Sequence, residues 1–137
     1  MNSIRVSSIV LLVAVGILAV IGGFILIVDS SGESMRFSLD SIKVSPFSTY
    51  LIPGMLLFLF LGVLNFVAAY ISFKKLNNYF LTIVIQGGVL FFWLNIQLLI
   101  NPYFYYPYYH IPLYIVSVVL ILFGLILIKQ KTIEYNE

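Results

Sequence analysis

Four amides supply the strongest hydrogen-bonding side chains within the long apolar segments of this chain. They are Asn65, Gln86, Asn95 and Gln97, and the segments around them contain no Asp, Glu, Lys or Arg. An amide both donates and accepts hydrogen bonds without carrying a charge. Two interpretations remain open: interhelical clamps worth around 1 kcal/mol each, or the lining of a polar pocket or pore for a small neutral solute, a lipid headgroup or a quinone.

Ionisable and nucleophilic groups are placed unfavourably for catalysis. The chain has no cysteine, which excludes thiolate chemistry and cysteine-based metal sites. Proton-coupled exporters, voltage sensors and most intramembrane hydrolases need ionisable groups at depth, and the apolar segments have none. His110 has no second histidine, cysteine or buried carboxylate to accompany it, so we interpret it as structural. We expect no catalytic residue, metal ligand or cofactor, and hence no enzyme.

The composition indicates the environment in which these amides lie. The 137 residues are 62% hydrophobic and 9% charged, with a mean hydropathy of +1.12. Soluble domains are roughly 25% charged. The sequence therefore predicts an integral membrane protein with a single domain. The net charge of +2 is too small to favour a nucleic-acid partner.

Four segments are long enough to cross a bilayer, which requires about 20 apolar residues. They are 6–28, 52–73, 79–100 and 111–128. The first is longer than the apolar part of a signal peptide, so we expect it to be retained as a helix. The last two are separated by 101–112, whose three prolines cannot continue a helix. The predicted fold is all-α, an integral membrane four-helix bundle of residues 1–137.

Positive charges predict the orientation of this bundle. Four crossings place both termini and the connection between predicted helices 2 and 3 on one side. That side carries Arg5, Lys74, Lys75, Lys129 and Lys131, whereas the other carries Arg36 and Lys43. The positive-inside rule therefore predicts that both termini are cytoplasmic. The tyrosine-rich segment 103–109 is then at the outer boundary, where aromatic rings are favoured.

Small residues predict close helix packing. One face of predicted helix 2 combines small residues with an amide: Gly62, Asn65, Ala69 and Ser72. Predicted helix 1 has a second face of small residues: Gly16, Ala19 and Gly23. Small side chains at helical spacing let a partner helix approach. We interpret the face on helix 1 as available to a homo-oligomer or a membrane protein partner.

Asn65 and Gln86 are expected to meet. They lie at similar depth because predicted helices 2 and 3 run antiparallel across a short turn. Gly87 and Gly88 follow Gln86 directly and are expected to permit the approach of helix 2.

A proline and a glycine at the start of predicted helix 2 indicate an outer hinge. Pro46 follows Ser45 as if opening a short interfacial turn, and Pro53 is tolerated in the first turn of helix 2. Gly54 is expected to let a neighbouring backbone come close. The preceding loop 29–44, with a possible short helix capped by Ser38, is expected to cover the outer face of the bundle.

The first half of the chain contains four short motifs in order: a glycine-rich end of helix 1, an Asp-x-Ser-Gly turn, Ser-Pro-Phe, and Pro-Gly at the start of helix 2. The residues concerned are Gly22, Gly23, Asp29, Ser31, Gly32, Ser45, Pro46, Phe47, Pro53, Gly54 and Gly62. With this pattern the chain resembles a family of small bacterial four-transmembrane inner-membrane proteins, which usually have proline where Ser30 stands here. The resemblance implies four crossings and a multi-pass location in the bacterial inner (plasma) membrane, and it implies no particular activity.

Two functions are therefore expected from the sequence. The first is a non-enzymatic small membrane protein that acts by helix–helix association in the lipid bilayer, as an accessory subunit or a homo-oligomer. The alternative is a carrier or channel for a small neutral solute, a lipid or a quinone, which passes through a polar pocket between predicted helices 2 and 3.

Overall fold

The computed structural model describes residues 2–37, 46–100 and 105–136, and these residues form no β-strand. Four long helices follow one another in the chain: α1 Ser3–Val28, α2 Leu51–Phe73, α3 Tyr79–Ile100 and α4 Pro107–Asn136. A short 3-10 turn, Glu33–Met35, lies between α1 and α2. All four long helices are long and apolar enough to cross a membrane.

The helix bounds depart from the predicted ones mainly in α1 and α4. α1 begins at Ser3 because the Asn2 side chain accepts a hydrogen bond from Ile4 N at 3.0 Å and caps the helix. α4 begins at Pro107, so the prediction that it starts at 111 is wrong. Pro107 occupies the first position, where no N–H is needed, and Pro112 lies inside the helix.

The end of α4 also lies further along the chain than the predicted end at 128. The apolar segment ends at Ile128, but the helix continues to Asn136. The residues after 128 are mostly good helix formers that need no lipid, so the helix outlasts the apolar stretch.

Both termini lie at one end of the bundle. Asn2 Nδ2 donates to Gln130 Oε1 at 2.9 Å, which joins the start of α1 to the last part of α4. Arg5 Nη1 donates to Ser72 O at 3.0 Å, which joins α1 to the end of α2. We call this the terminal end; it also contains the connection 74–78 between α2 and α3.

Glycines bring α1 and α2 into backbone contact. A Cβ atom added to Gly23 would lie 2.7 Å from Phe58 N and 2.8 Å from Gly54 O. One added to Gly54 would lie 2.7 Å from the Leu26 Cβ, and one added to Gly62 the same distance from Val20 Cγ2. No side chain fits in these positions, so α1 and α2 pack as closely as small residues allow.

A second close contact joins α3 to α4. A Cβ atom on Gly124 would lie 3.0 Å from Phe80 O, and one on Gly87 would lie 3.0 Å from Ile121 N. The bundle therefore contains two tight helix pairs. Most of the core is apolar, and Leu12, Ile83, Leu94 and Leu120 are fully buried in it.

The outer surface of the bundle is apolar as well. Large side chains on all four helices are exposed, among them Leu18, Phe24, Phe60, Phe92, Leu122 and Leu125. A soluble protein rarely exposes so many contiguous apolar groups. Lipid is the solvent that suits this surface.

The connection between α1 and α2 is described only in part. The short helix expected over 39–44 and its cap Ser38 lie outside the described residues, as does Ser45. Pro46 lies in an exposed bend, and α2 begins at Leu51, which places Pro53 in its first turn. Tyr50 is buried and donates its backbone N–H to Ser30 O at 2.8 Å, so the two sides of the loop are held together.

Candidate functional site

The middle of α2 is not an ordinary α-helix. Residues Leu57–Val63 form π-helical turns between the α-helical segments Leu51–Leu56 and Leu64–Phe73. At the end of this stretch Leu64 N–H bonds to Leu59 O, five residues back. π-helical turns are rare and occur often at functional sites. The π segment contains Gly62 and no proline, and it makes a polar contact with another helix.

That contact comes from Gln86 on α3. Gln86 Nε2 donates to Phe60 O at 3.0 Å and to Asn65 Oδ1 at 2.5 Å. Phe60 lies in the π segment, and Asn65 lies just after it. We call Gln86, Asn65 and the Phe60 carbonyl the amide clasp. The structure thus brings together the two amides whose depths the sequence matched, and it adds a backbone carbonyl that the sequence did not indicate.

The amide clasp is closed off from the surroundings. Asn65 is 1% exposed and Gln86 is 5% exposed. A Cβ atom on Gly16 of α1 would lie 3.4 Å from the Asn65 Cβ and 3.3 Å from the Phe66 ring, so α1 covers the clasp on one side. A hydrogen bond in such a low-dielectric position is strong, and an unpaired amide there is costly.

The other two amides lie elsewhere on α3. Asn95 Nδ2 donates to Phe91 O at 2.9 Å in its own helix, and Asn95 Oδ1 accepts from the Tyr114 hydroxyl at 3.2 Å. Asn95 is nine residues from Gln86, about 13 Å along an α-helix. The four amides therefore do not line one pocket between α2 and α3, because Asn95 bonds toward α4.

Gln97 belongs to a second polar group. Gln97 Oε1 and Trp93 Nε1 are buried side-chain atoms for which the structure shows no hydrogen-bond partner. They are one turn apart on α3, and the Tyr109 hydroxyl of α4 lies near both side chains without a hydrogen bond of good geometry. One atom is an acceptor and the other a donor, so together they complement a ligand that carries both groups.

The small-residue faces pack inside the chain. Gly62, Asn65, Ala69 and Ser72 are all buried, as the face on α2 requires for packing. Gly16, Ala19 and Gly23 are buried too, and both glycines meet residues of α2. The interpretation that this face of α1 is available to a partner is therefore wrong, because α2 of the same chain occupies it.

Gly87 and Gly88 do not serve the contact for which they were expected. Gly87 faces Ile121 and Leu120 of α4, and a Cβ atom on Gly88 would meet nothing within 4 Å. Gln86 reaches α2 through the length of its own side chain, with no glycine between the two helices. The expectation that these glycines admit α2 is wrong for that reason.

Arg5 is a structural residue that the sequence indicated only as a topological charge. It is 6% exposed, and its Nη1 donates to Ser72 O at 3.0 Å and to Phe73 O at 3.2 Å. These carbonyls are at the end of α2, where a helix lacks donors and a cation is favourable. The sequence contained one sign of this role: Arg5 lies about one turn into α1, at the depth where the neighbouring helix α2 ends.

His110 closes the start of α4. It is fully buried, and its Nδ1 accepts from the Tyr106 backbone N–H at 3.1 Å. Its ring packs edge-on against Tyr109 with centroids 4.8 Å apart. Among the residues described, no three His, Cys, Asp or Glu side chains lie close enough to hold a metal ion.

Asp29 organises the turn after α1. Its carboxylate accepts from the Ser31 hydroxyl at 2.5 Å, and from the Ser34 hydroxyl and backbone N–H at 2.6 and 2.9 Å. These bonds, the one from Ser31 above all, lower the pKa of Asp29 to about 2. Gly32, with φ of 81°, completes the turn in the left-handed region.

Comparison with protein-family models, curated proteins and solved structures finds no match to this chain. The resemblance in the first half of the chain therefore stays a prediction.

Proposed function

We propose that this chain is a non-enzymatic membrane-embedded bundle that acts by helix–helix association, as an accessory subunit or a homo-oligomer. The amide clasp carries the proposal. Gln86 Nε2 has two hydrogens, and acceptors on α2 take both of them. Gln86 Nε2 therefore joins α3 to α2 and has no hydrogen left for a solute, which supports a structural role for the clasp and directs the proposal to the exposed apolar surface.

The proposed location is the bacterial inner membrane with both termini in the cytoplasm. Four long apolar helices with exposed apolar side chains support insertion into a bilayer. The terminal end carries Arg5, Lys74, Lys75, Lys129 and Lys131, and such clusters stay on the cytoplasmic side. A reporter active only in the cytoplasm should therefore be active when fused after Glu137 and inactive when inserted after Gly32. The reverse pattern contradicts the orientation.

Association is tested on purified full-length chain in mild detergent and in nanodiscs. We expect cross-linking and blue-native electrophoresis to give one discrete species larger than the 15.5 kDa chain, either a homo-oligomer or a complex with a co-purified membrane protein. A strictly monomeric chain without a bound protein, across a wide range of protein-to-lipid ratios, contradicts the proposal.

One observation favours a carrier or channel as a second candidate. Trp93 Nε1 and Gln97 Oε1 are a buried donor and acceptor one turn apart, next to the Tyr109 hydroxyl but without a hydrogen bond of good geometry to it. A small neutral solute, a lipid or a quinone with both groups would satisfy them. Proteoliposomes separate the candidates: solute flux above that of protein-free vesicles, lost in Gln97→Leu and kept in Gln86→Leu, supports transport against association.

A further inference from the structure

We propose that a cleft at the terminal end binds the phosphodiester headgroup of an anionic phospholipid. The cleft has a volume of about 290 Å³ and lies between the start of α1, the connection 74–78 and the end of α4. Its charged lining residues are Lys75, Lys131 and Glu134. This inference rests on the proposed insertion into a membrane and names a ligand that the association function does not require.

Charge and hydrogen bonding in the cleft favour an anion. Two lysines and one glutamate line the cleft, and Asn77 and Tyr79, whose side chains can donate hydrogen bonds, belong to the same lining. The other cations of the terminal end are not in the lining, and Arg5 is engaged by the carbonyls of α2. A lysine ammonium binds phosphate oxygens as a point charge, so two of them suit a single phosphodiester.

The backbone conformation of Lys75 favours a binding role for its side chain. Lys75 has φ of 53° just after the end of α2, and Leu76 N–H bonds to Ile71 O at 3.1 Å. This is the left-handed helix ending in which glycine is favoured, since a Cβ atom is disfavoured there. A lysine in this place gives up backbone stability and puts a charge at the cleft, and strained residues of this kind cluster at binding sites.

Lys131 is also held in position. Its Nζ lies 5.0 Å from the centroid of the Phe80 ring, at the distance of a cation–π contact. Phe80 is itself buried in the core, so the ammonium group rests on a rigid surface at the edge of the apolar region.

The depth of the cleft selects a lipid over a free anion. Lys75 comes two residues after α2 ends at Phe73, and Lys131 comes just after the apolar segment of α4 ends at Ile128. Both lysines are therefore where lipid headgroups begin, and basic pockets between helices at this level bind anionic headgroups. Leu76 lines the cleft and is exposed, so it offers an apolar surface to an acyl chain, which inorganic phosphate lacks.

The test is equilibrium binding of lipids to full-length chain in neutral detergent, counted by native mass spectrometry. The probes are dioleoylphosphatidylglycerol, dioleoylphosphatidylcholine and inorganic phosphate. We expect the anionic lipid to bind in preference to the zwitterionic one, and 10 mM inorganic phosphate to leave it bound. Equal binding of both lipids contradicts the proposal, and displacement by phosphate assigns the cleft to a free anion instead.

Matched variants locate the site. Lys75→Gln and Lys131→Gln should each weaken phosphatidylglycerol binding about fivefold, whereas Lys74→Gln and Lys129→Gln, with the same charge change outside the lining, should have little effect. Glu134→Gln should tighten binding. Equal losses in all four lysine variants mean that only the net charge matters, which overturns the site.

Lys75→Gly separates binding from folding. It should lose binding as Lys75→Gln does, while the melting temperature stays the same or rises because glycine relieves the left-handed strain. Resistance of the chain to extraction from membranes by alkaline carbonate reports on insertion alone. If the chain is extracted, the proposed function fails; if it is retained without lipid preference, only this inference fails.

Discussion

The amide clasp and the Trp93 and Gln97 pair are two polar groups that both include side chains of α3, but they differ in how completely their neighbours satisfy them. Gln86 in the clasp bonds to two acceptors on α2. Trp93 Nε1 and Gln97 Oε1 are buried without a partner in the structure. The two groups are about 15 Å apart along α3.

The difference lies in the backbone that faces each group. Opposite the clasp, the π segment of α2 offers the Phe60 carbonyl, and Gly16 lets α1 close over Asn65. Opposite the Trp93 and Gln97 pair, α4 is a continuous helix that contributes aromatic side chains such as Tyr109 and Tyr114. Gln86 is satisfied by a carbonyl of the π segment and by Asn65, both on α2, whereas Trp93 Nε1 and Gln97 Oε1 have no hydrogen bond to α4.

The largest effect is expected at the close contact between α1 and the start of α2, next to Gly23 and Leu26. Gly54→Leu should destabilise the bundle by about 3 kcal/mol, because even its Cβ atom would lie 2.7 Å from the Leu26 Cβ. Pro53→Ala should cost under about 1 kcal/mol, since Pro53 lies in the first turn and replaces no hydrogen bond. Unfolding by denaturing detergent in mixed micelles measures both. A larger loss for Pro53→Ala would mean that the proline shapes α2 inside the membrane.

Loss of the clasp comes next in size. Gln86→Leu should cost about 1 to 2 kcal/mol, because it leaves the Asn65 amide and the Phe60 carbonyl buried without their donor. In a cycle with Asn65→Leu, the two substitutions should be coupled by roughly 0.5 to 1.5 kcal/mol. Additive losses in the same unfolding measurement would show that the two amides contribute independently, and the clasp would not be a unit.

A substitution in the Trp93 and Gln97 pair is expected to change the stability of the bundle much less. Gln97→Leu removes an acceptor that has no partner, so stability should change by less than about 0.5 kcal/mol. Gln86→Leu is the matched control on the same helix. A loss at Gln97 equal to the loss at Gln86 would remove the contrast between the two groups, and it would also withdraw the support for a ligand there.

The sequence predicted α3 closely because strong signals bound it on both sides. Lys75 ends the apolar run on one side, and the prolines of 101–112 end it on the other. The predicted ends of helices 2 and 3, together with their antiparallel direction, also indicated that Asn65 and Gln86 lie at similar depth. Depth follows from counting residues along a helix, and a single sequence is enough for that.

The π segment and the partners of the small residues could not be predicted from the sequence. Leu57–Val63 is uniformly apolar and has no proline, so no local signal marks the extra residue per turn. Its Phe60 carbonyl accepts a hydrogen bond from α3, which is a tertiary contact that local sequence does not reveal. Small-residue spacing likewise indicates that Gly23 packs closely without saying against what, and α2 of the same chain proved to be the partner.

The smallest expected effect is at the turn after α1, outside the apolar spans. Hydrogen bonds lower the pKa of Asp29 from 3.8 to about 2, so the ionised form is favoured in the folded state. The stabilisation is complete above the unfolded pKa and is lost as the pH falls from about 3.8 to about 2. The melting temperature of the native chain should therefore exceed that of Asp29→Asn at pH 6, and the two should converge in this window. Glu33→Gln, on an exposed carboxylate in the same turn, is the control and should show no such convergence. A difference between the native chain and Asp29→Asn that stays constant down to pH 2 would mean that the charge of Asp29 does not stabilise the turn.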